Sequence, residues 1–287
     1  MALSYPECVC LREQMAEALV GKHIDDIWVF DVTQVDGSWR FGAINQPPAE
    51  FDQRLRGGAI VGAQSRANTV FLPTDTGHTL ALGYLSGRVL YHQPGGKVPE
   101  RSCLRVTFTD GSILSVTISM WGLVRALDDT ERQTYVRKWY GRGIEPLSDD
   151  YAWEGFSEAA AAIEDPRLSA KKFLHAFEPG YYLSGLDAGY AVEVLHRAHI
   201  HPKRRLASLS MDELRACYEC VNTVCEEAIA QGGRYTEVDL CGHPGGFVPR
   251  ACEATLGKPC VACGTPIGKL KFEGGTSYIC PTCQPAP

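Results

Sequence analysis

The rhythm of apolar and polar positions changes once along the chain. Up to about residue 127 the apolar residues fall in short β-branched and aromatic runs broken by turn residues, which predicts strands. Such runs are Ile24 to Asp31, Thr69 to Leu72, Gly87 to His92 and Leu104 to Phe108. In Thr107-Phe108-Thr109-Asp110-Gly111-Ser112-Ile113-Leu114 an Asp-Gly pair separates two runs, a strong hairpin signal. One early helix is expected over Glu7 to Leu19. This half reads as an antiparallel β-sandwich or barrel with a flanking helix.

Residues 128–155 are polar, rich in Gly, Asp and Arg, and read as a linker. The alphabet then turns helical. Ser157 through Phe177 is rich in Ala, Leu and Lys, and a second helix fits Ala188 to Ala198. A third opens on Ser210-Met211-Asp212-Glu213, a capping box, and carries Leu214, Cys217, Val221, Val224 and Ala228 at helical spacing until Gly232-Gly233. The expected organisation is an α+β multidomain chain: sandwich 1–127, linker 128–155, helical domain 156–250 and a Cys-rich unit 251–287.

Composition narrows the classes. The 287 residues are 45% hydrophobic and 22% charged, the values of an ordinary globular protein of about two domains. No run of about 18 apolar residues occurs, so no membrane span is expected. Glu7, Arg12, Glu13 and Lys22 interrupt the apolar core that a signal peptide requires, which points to the cytoplasm. A formal net charge of -6 argues against a whole-surface nucleic-acid binder but allows a local basic face. Twelve cysteines in a reducing compartment suggest metal ligation or inert burial rather than disulfides.

Four of those cysteines have a pattern. Cys260-Val261-Ala262-Cys263 and Cys280-Pro281-Thr282-Cys283 are two CxxC pairs separated by 16 residues. Each presents two thiolates from one tight turn, and together they supply the four soft ligands of one tetrahedral structural zinc. Some thirty residues bury too little apolar area to fold alone, so the metal would supply the folding energy. Cys217 and Cys220 form another CxxC, but inside the third helix with Cys217 on its apolar stripe; core burial is the plainer reading beside a second metal or redox site. Between the last two helices runs His199-Ile200-His201-Pro202-Lys203-Arg204-Arg205, where Pro202 ends a helix and three cations follow. With Lys171 and Lys172 it forms either a solvated turn or one positive face.

The order of sandwich, linker, helices joined by a Pro-containing turn, and terminal knuckle resembles the formamidopyrimidine-DNA glycosylase and endonuclease VIII family. The likeness rests on Gly143-Ile144-Glu145-Pro146-Leu147-Ser148-Asp149, Ser184-Gly185-Leu186, His196 to Pro202, Gln231-Gly232-Gly233, Gly242 to Phe247 and Cys260 to Gln284. Pro6-Glu7 and Leu85-Ser86-Gly87-Arg88 match in the first half. The resemblance implies a helix–two-turn–helix, a β-hairpin zinc finger and a lesion-containing double-stranded DNA partner gripped by a monomer. It also implies base flipping, with side chains inserted into the vacated stack. In the family an N-terminal proline amine attacks the sugar beside a catalytic glutamate, since an α-amine is deprotonated near neutral pH far more readily than a lysine.

The departures concentrate on that chemistry. The family opens Met-Pro-Glu-Leu-Pro-Glu, whereas this chain reads Met1-Ala2-Leu3-Ser4-Tyr5-Pro6-Glu7. Only the second Pro-Glu is recognisable. An Ala2 amine exposed by Met1 removal and a Glu7 carboxylate are the candidate catalytic groups that remain, with helix capping or a structural hydrogen bond the plainer reading of Glu7. The family's Arg-Gly-Lys hairpin reads Arg66-Ala67-Asn68, its phosphate-binding asparagine falls at Ala188 beside Asp187, and its hairpin arginine falls at Gly275. Void-filling positions fall at Ser119 and Trp121, and at Tyr84 and Leu85; core packing is the competing reading for these aromatic and aliphatic residues. The candidate DNA contacts are thus Lys171, Lys203, Arg204, Arg205, Trp121, Arg66, Tyr84 and Leu85. The expected function is recognition of damaged or distorted duplex DNA in base-excision-type repair, with the glycosylase and lyase machinery retooled or lost. The other reading is a zinc-stabilised protein- or RNA-interaction module.

Overall fold

The computed structural model describes residues 3–30, 44, 46–141, 143–175 and 182–287. The chain divides into two compact units, one of residues 1–138 with 232–246 and the other of 139–231 with 247–287.

The first unit opens on helix α1 (Tyr5–Leu19), followed by β1 (Ile24–Val29), α2 (Pro48–Leu55), β2 (Gln64–Arg66), β3 (Thr69–Pro73), β4 (His78–Gly83), β5 (Gly87–His92), β6 (Leu104–Phe108), β7 (Ile113–Ile118) and β8 (Leu123–Asp128). The strands form two antiparallel four-stranded sheets in the orders β1-β6-β7-β5 and β2-β3-β4-β8. Alternation decides which side chains share the core. Leu104, Val106 and Phe108 of β6 and Leu114, Val116 and Ile118 of β7 pack in one cluster with Val70, Leu72, Leu80, Leu82, Val124 and Ala126 of the other sheet. The expected sandwich with a flanking helix is present. From α1, Cys8, Leu11, Met15 and Leu19 enter the same core at helical spacing, each large apolar side chain contributing about 1.5–3 kcal/mol by burial. Asp110-Gly111 makes the expected turn: Gly111 is left-handed at φ 81° and the Asp110 carboxylate accepts the Ser112 N–H at 2.9 Å.

Helix α2 has no counterpart in the sequence reading. Only Phe51 and Leu55 anchor its eight residues, too few for a periodic signal, and Pro48 serves as the first helical residue. Residues 232–246 join this unit although they follow the last helix in sequence. Leu240 accepts the Tyr91 N–H at 2.8 Å along the edge of β5, and its own N–H reaches Gln14 Oε1 at 2.9 Å.

Helix α3 (Asp129–Trp139) occupies the first half of the stretch read as a linker. The second unit then contains α4 (Trp153–Ala161), α5 (Ala170–His175), α6 (Ala188–Arg197), α7 (Met211–Ala230), β9 (Gly268–Phe272) and β10 (Gly275–Ile279). The helix expected over Ser157 to Phe177 is therefore two helices, and Phe177 lies outside the described residues. Pro166 explains the break: it disfavours helical geometry at Asp165, whose carboxylate instead accepts the Arg167 N–H at 2.9 Å in a turn. An aromatic cluster fills the space beside α4 and α7, with Tyr151 stacked on Tyr218 at 4.7 Å and Phe156 edge-on to Phe173 at 5.2 Å. The capping box on α7 is as expected: Glu213 N–H donates to Ser210 Oγ at 3.1 Å and Ser210 N–H to Glu213 Oε2 at 2.8 Å.

Candidate nucleic-acid interface and zinc knuckle

In the first unit the candidate chemistry gathers at the start of α1. Leu3 is buried, and its backbone N–H donates to Leu85 O at 3.0 Å, so a peptide amide rather than an amine stands here. Glu7 is 4% exposed. Its Oε2 accepts the Ser4 N–H at 3.1 Å, while Oε1 accepts the N–H of Arg234 at 3.0 Å and its Nε at 3.3 Å. Arg234 is itself 1% exposed, so the two form a buried ion pair. Gly233 just before it is left-handed at φ 92°, and a Cβ there would lie 3.2 Å from Glu7 Cγ. The carboxylate read as a possible general base caps a helix and holds an arginine. Ala2, the other candidate, lies outside the described residues.

The β2–β3 turn retains the backbone of an absent glycine: Ala67 sits at φ 53°, and Asn68 is buried beside it. Arg66 ends β2, paired in register with Thr69. Asn68 O receives the N–H of Tyr84, a second left-handed residue at φ 49°. Burial, aided by nearby Tyr135, pushes the Tyr84 phenol up to about 12 against a hydrogen bond with Asn68. Of the two void-filling candidates here, Leu85 is wholly buried in the sandwich core and has no surface to insert. Trp121 is the opposite case. It is 41% exposed on the β7–β8 loop beside Met120 at 51%, which removes the core-packing reading. Two backbone bonds brace that loop, Ser86 N–H to Trp121 O at 2.8 Å and Ser119 N–H to Ser86 O at 2.6 Å. Gly122 closes it because a Cβ would meet Leu85 Cδ2 at 2.9 Å.

In the second unit the cationic bend follows a Schellman ending of α6. His199 is left-handed at φ 58°, its N–H reaches His196 O at 3.2 Å and the Ile200 N–H reaches Leu195 O at 2.9 Å. Lys203 and Arg205 are exposed. Arg204 is engaged internally: its two terminal nitrogens each lie 3.0 Å from a Glu213 oxygen, and one donates to Ser208 O at 2.7 Å. Lys171 is buried, with Nζ 3.4 Å from Phe272 O and over the Phe272 ring at 5.8 Å. Desolvation holds its pKa below the ordinary lysine value. Asp187 caps α6 by accepting the N–H groups of Gly189 and Tyr190 at 2.9 and 3.1 Å, so that helix end already has its anion. Of the three cations in the bend, Lys203 and Arg205 are exposed while Arg204 is held by Glu213, and Lys171, expected on the same face, is buried.

The thiols converge as their spacing requires. The Sγ atoms of Cys260, Cys263, Cys280 and Cys283 all lie within 4.8 Å of one another. Two of the separations are 3.9 and 3.4 Å, against an edge of about 3.8 Å for a tetrahedron with Zn–S near 2.3 Å. The donor set fits zinc, and these residues form a structural zinc site. Cys217 is buried at 2% exposure and belongs to the core of α7, as its position on the apolar stripe indicates. Sequence reasoning missed Arg234, His196 and Gln284. Nothing in a single sequence pairs residue 7 with residue 234, and only the adjacency of Gln284 to Cys283 marks it.

A two-sheet sandwich, a helical unit in which a Schellman turn and a cationic bend join α6 to α7, and a four-thiol hairpin define a zinc-finger protein of the glycosylase type of fold. The profile of the formamidopyrimidine-DNA glycosylase N-terminal domain matches residues 4–118, and that of the zinc finger found in FPG and IleRS matches 257–286. A formamidopyrimidine-DNA glycosylase of Heliobacterium modesticaldum is 31% identical over 250 residues, 83% of this chain and 86% of that one. One from Bacillus cereus is 26% identical over 98% of both chains. The chain belongs to the formamidopyrimidine-DNA glycosylase family. Its fold superposes on Lactococcus lactis Fpg, solved in complex with DNA containing an abasic site, with a TM-score of 0.85 at 20% identity over 99% of this chain and 100% of the other.

Proposed function

We propose that this protein binds duplex DNA distorted by a lesion, as a cytoplasmic monomer in base-excision-type repair, and that its chemistry no longer runs through an N-terminal proline, its glutamate and a hairpin lysine. The observation that carries the binding half is the exposed indole of Trp121, braced on a short loop in a chain of this family. An exposed indole on a loop braced by two backbone bonds is suited to stack on a base left without its partner. Membership of the family, and the DNA complexes of proteins that share the fold, support the partner.

Supporting the second half, the chain has no proline at position 2, Leu3 is an amide with its proton in use, and Glu7 is bound to Arg234. The candidate groups for a retooled site are the Ala2 amine and the Glu7 carboxylate, which would have to leave Arg234 to activate water.

Two measurements test this. Binding to an abasic-site duplex weakens steeply with salt if phosphates are contacted; undetectable binding at low salt overturns the proposal. Borohydride reduction traps a covalent adduct only from an imine, so an adduct formed with the native N-terminus and lost when that terminus is blocked assigns the Ala2 amine. Absence of an adduct, with alkali-labile product formed, assigns water attack. Absence of both leaves a recognition protein. Two observations favour a protein- or RNA-interaction module instead: the net charge is -6 and the fork of Arg204 is already filled by Glu213. The low-salt binding experiment separates the two.

A further inference from the structure

Two buried side chains outside the ligand set join the zinc knuckle to the helical scaffold. His196, in the last turn of α6, is 3% exposed, and its Nε2 lies 3.6 Å from Sγ of Cys260. Its Nδ1 is buried with no hydrogen-bond partner among the described residues. Gln284, the residue after Cys283, is wholly buried. Its Oε1 accepts the Cys280 N–H at 3.0 Å, and its Nε2 donates to Ile200 O at 2.8 Å, within the bend that carries Lys203 and Arg205.

The proton on a neutral imidazole has two places to sit. On Nδ1 it would be a buried donor facing nothing that accepts it, and orphaned buried N–H groups are rarer than under-satisfied acceptors. On Nε2 it points at sulfur, which as a metal-bound thiolate is an anionic acceptor, and hydrogen bonds to charged acceptors are the stronger ones. Donation from Nε2 leaves only a lone pair unsatisfied at Nδ1. The same bond orients the Cys260 side chain and offsets part of the charge of four thiolates.

We infer that His196 donates its Nε2 proton to the Cys260 thiolate and, together with Gln284, ties the position of the cationic bend to the filled zinc site. His196 is a positioning residue that acts through Cys260, and the inference stands whether or not the chain binds DNA. His196 holds the first ligand from α6, and Gln284 connects the second CxxC turn to Ile200. The metal site and the bend therefore share their supports.

The test uses the zinc-loaded full chain. In the unaltered protein, imidazole 15N shifts should show His196 protonated on Nε2 and bare on Nδ1, and replacing zinc with 113Cd should couple that proton to the metal through sulfur. A proton on Nδ1 overturns the inference without any variant having to fold. His196→Phe should transfer zinc to a chromogenic chelator about 10–100-fold faster, the range for loss of an outer-shell partner. His196→Gln, whose amide can donate from nearly the same place, should restore most of the slow release. Release from the Phe variant at the unaltered rate overturns the role of the bond. Gln284→Ala should raise amide exchange about tenfold across residues 199–205 with zinc still bound; unchanged exchange there overturns the link between metal and bend.

Discussion

At the scale of single residues, exposure and engagement separate side chains that the sequence places in one class. Trp121 and Leu85 are both expected from the sequence as void-filling residues, yet one is 41% exposed and the other 0%. Trp121→Ala should weaken binding to an abasic-site duplex by the worth of one stacked base, about 1–3 kcal/mol or roughly 5–150-fold, with an unchanged melting temperature. An equal loss of affinity for undamaged duplex would show that the ring does not read the gap. The three cations after Pro202 divide in the same manner. Lys203 is exposed, so Lys203→Ala should reduce the slope of log K against log salt by about 1. Arg204 holds Glu213 through both nitrogens, so Arg204→Ala should lower thermal stability and leave that slope unchanged. A flattened slope in the Arg204 variant would reverse the assignment.

At the scale of elements, burial of a carboxylate has to be matched by partners, and this determines what Glu7 can do. It caps α1 through Ser4 and pairs with Arg234 inside the first unit, fastening residues 232–246 to the helix. Removing one partner of a buried pair leaves an uncompensated charge, which typically costs about 3–5 kcal/mol. Glu7→Leu and Arg234→Leu should each destabilise by that order in denaturant unfolding, and the double variant by clearly less than their sum. Additive losses would mean that the pair is not coupled. Elements that announce themselves by period and cap, such as α7 with Ser210 and the Asp110-Gly111 turn, were legible in the sequence. So was the zinc knuckle, because ligand spacing within a turn is a local property. Helix α2 and the break at Pro166 were less so, since two apolar anchors or one proline in an Ala-rich run barely disturb the pattern. The Glu7–Arg234 pair and the His196–Cys260 contact were not legible: each joins residues far apart in sequence, and each depends on three-dimensional packing.

For the whole molecule, the sandwich unit and the zinc knuckle of the second unit differ in what stabilises them. The sandwich unit has a continuous apolar core drawn from both sheets and two helices, enough to stand without metal. Among the described residues the buried cluster of the knuckle is Ala251, Cys260, Ile267 and Cys280, with Tyr278 and Cys283 partly buried against it, and three of these six are metal ligands. With so little apolar area, its order must come from the bonds of thiolate to zinc. Chelation should therefore act unevenly. Amide exchange across residues 257–286 should accelerate by several orders of magnitude, and all four cysteines should become open to alkylation. Exchange in the central strands β3, β4, β6 and β7 should stay within about threefold of the zinc-loaded protein. If the metal-free chain instead lost protection in those strands as well, zinc would be stabilising the entire fold, and the sandwich core would be weaker than its burial implies.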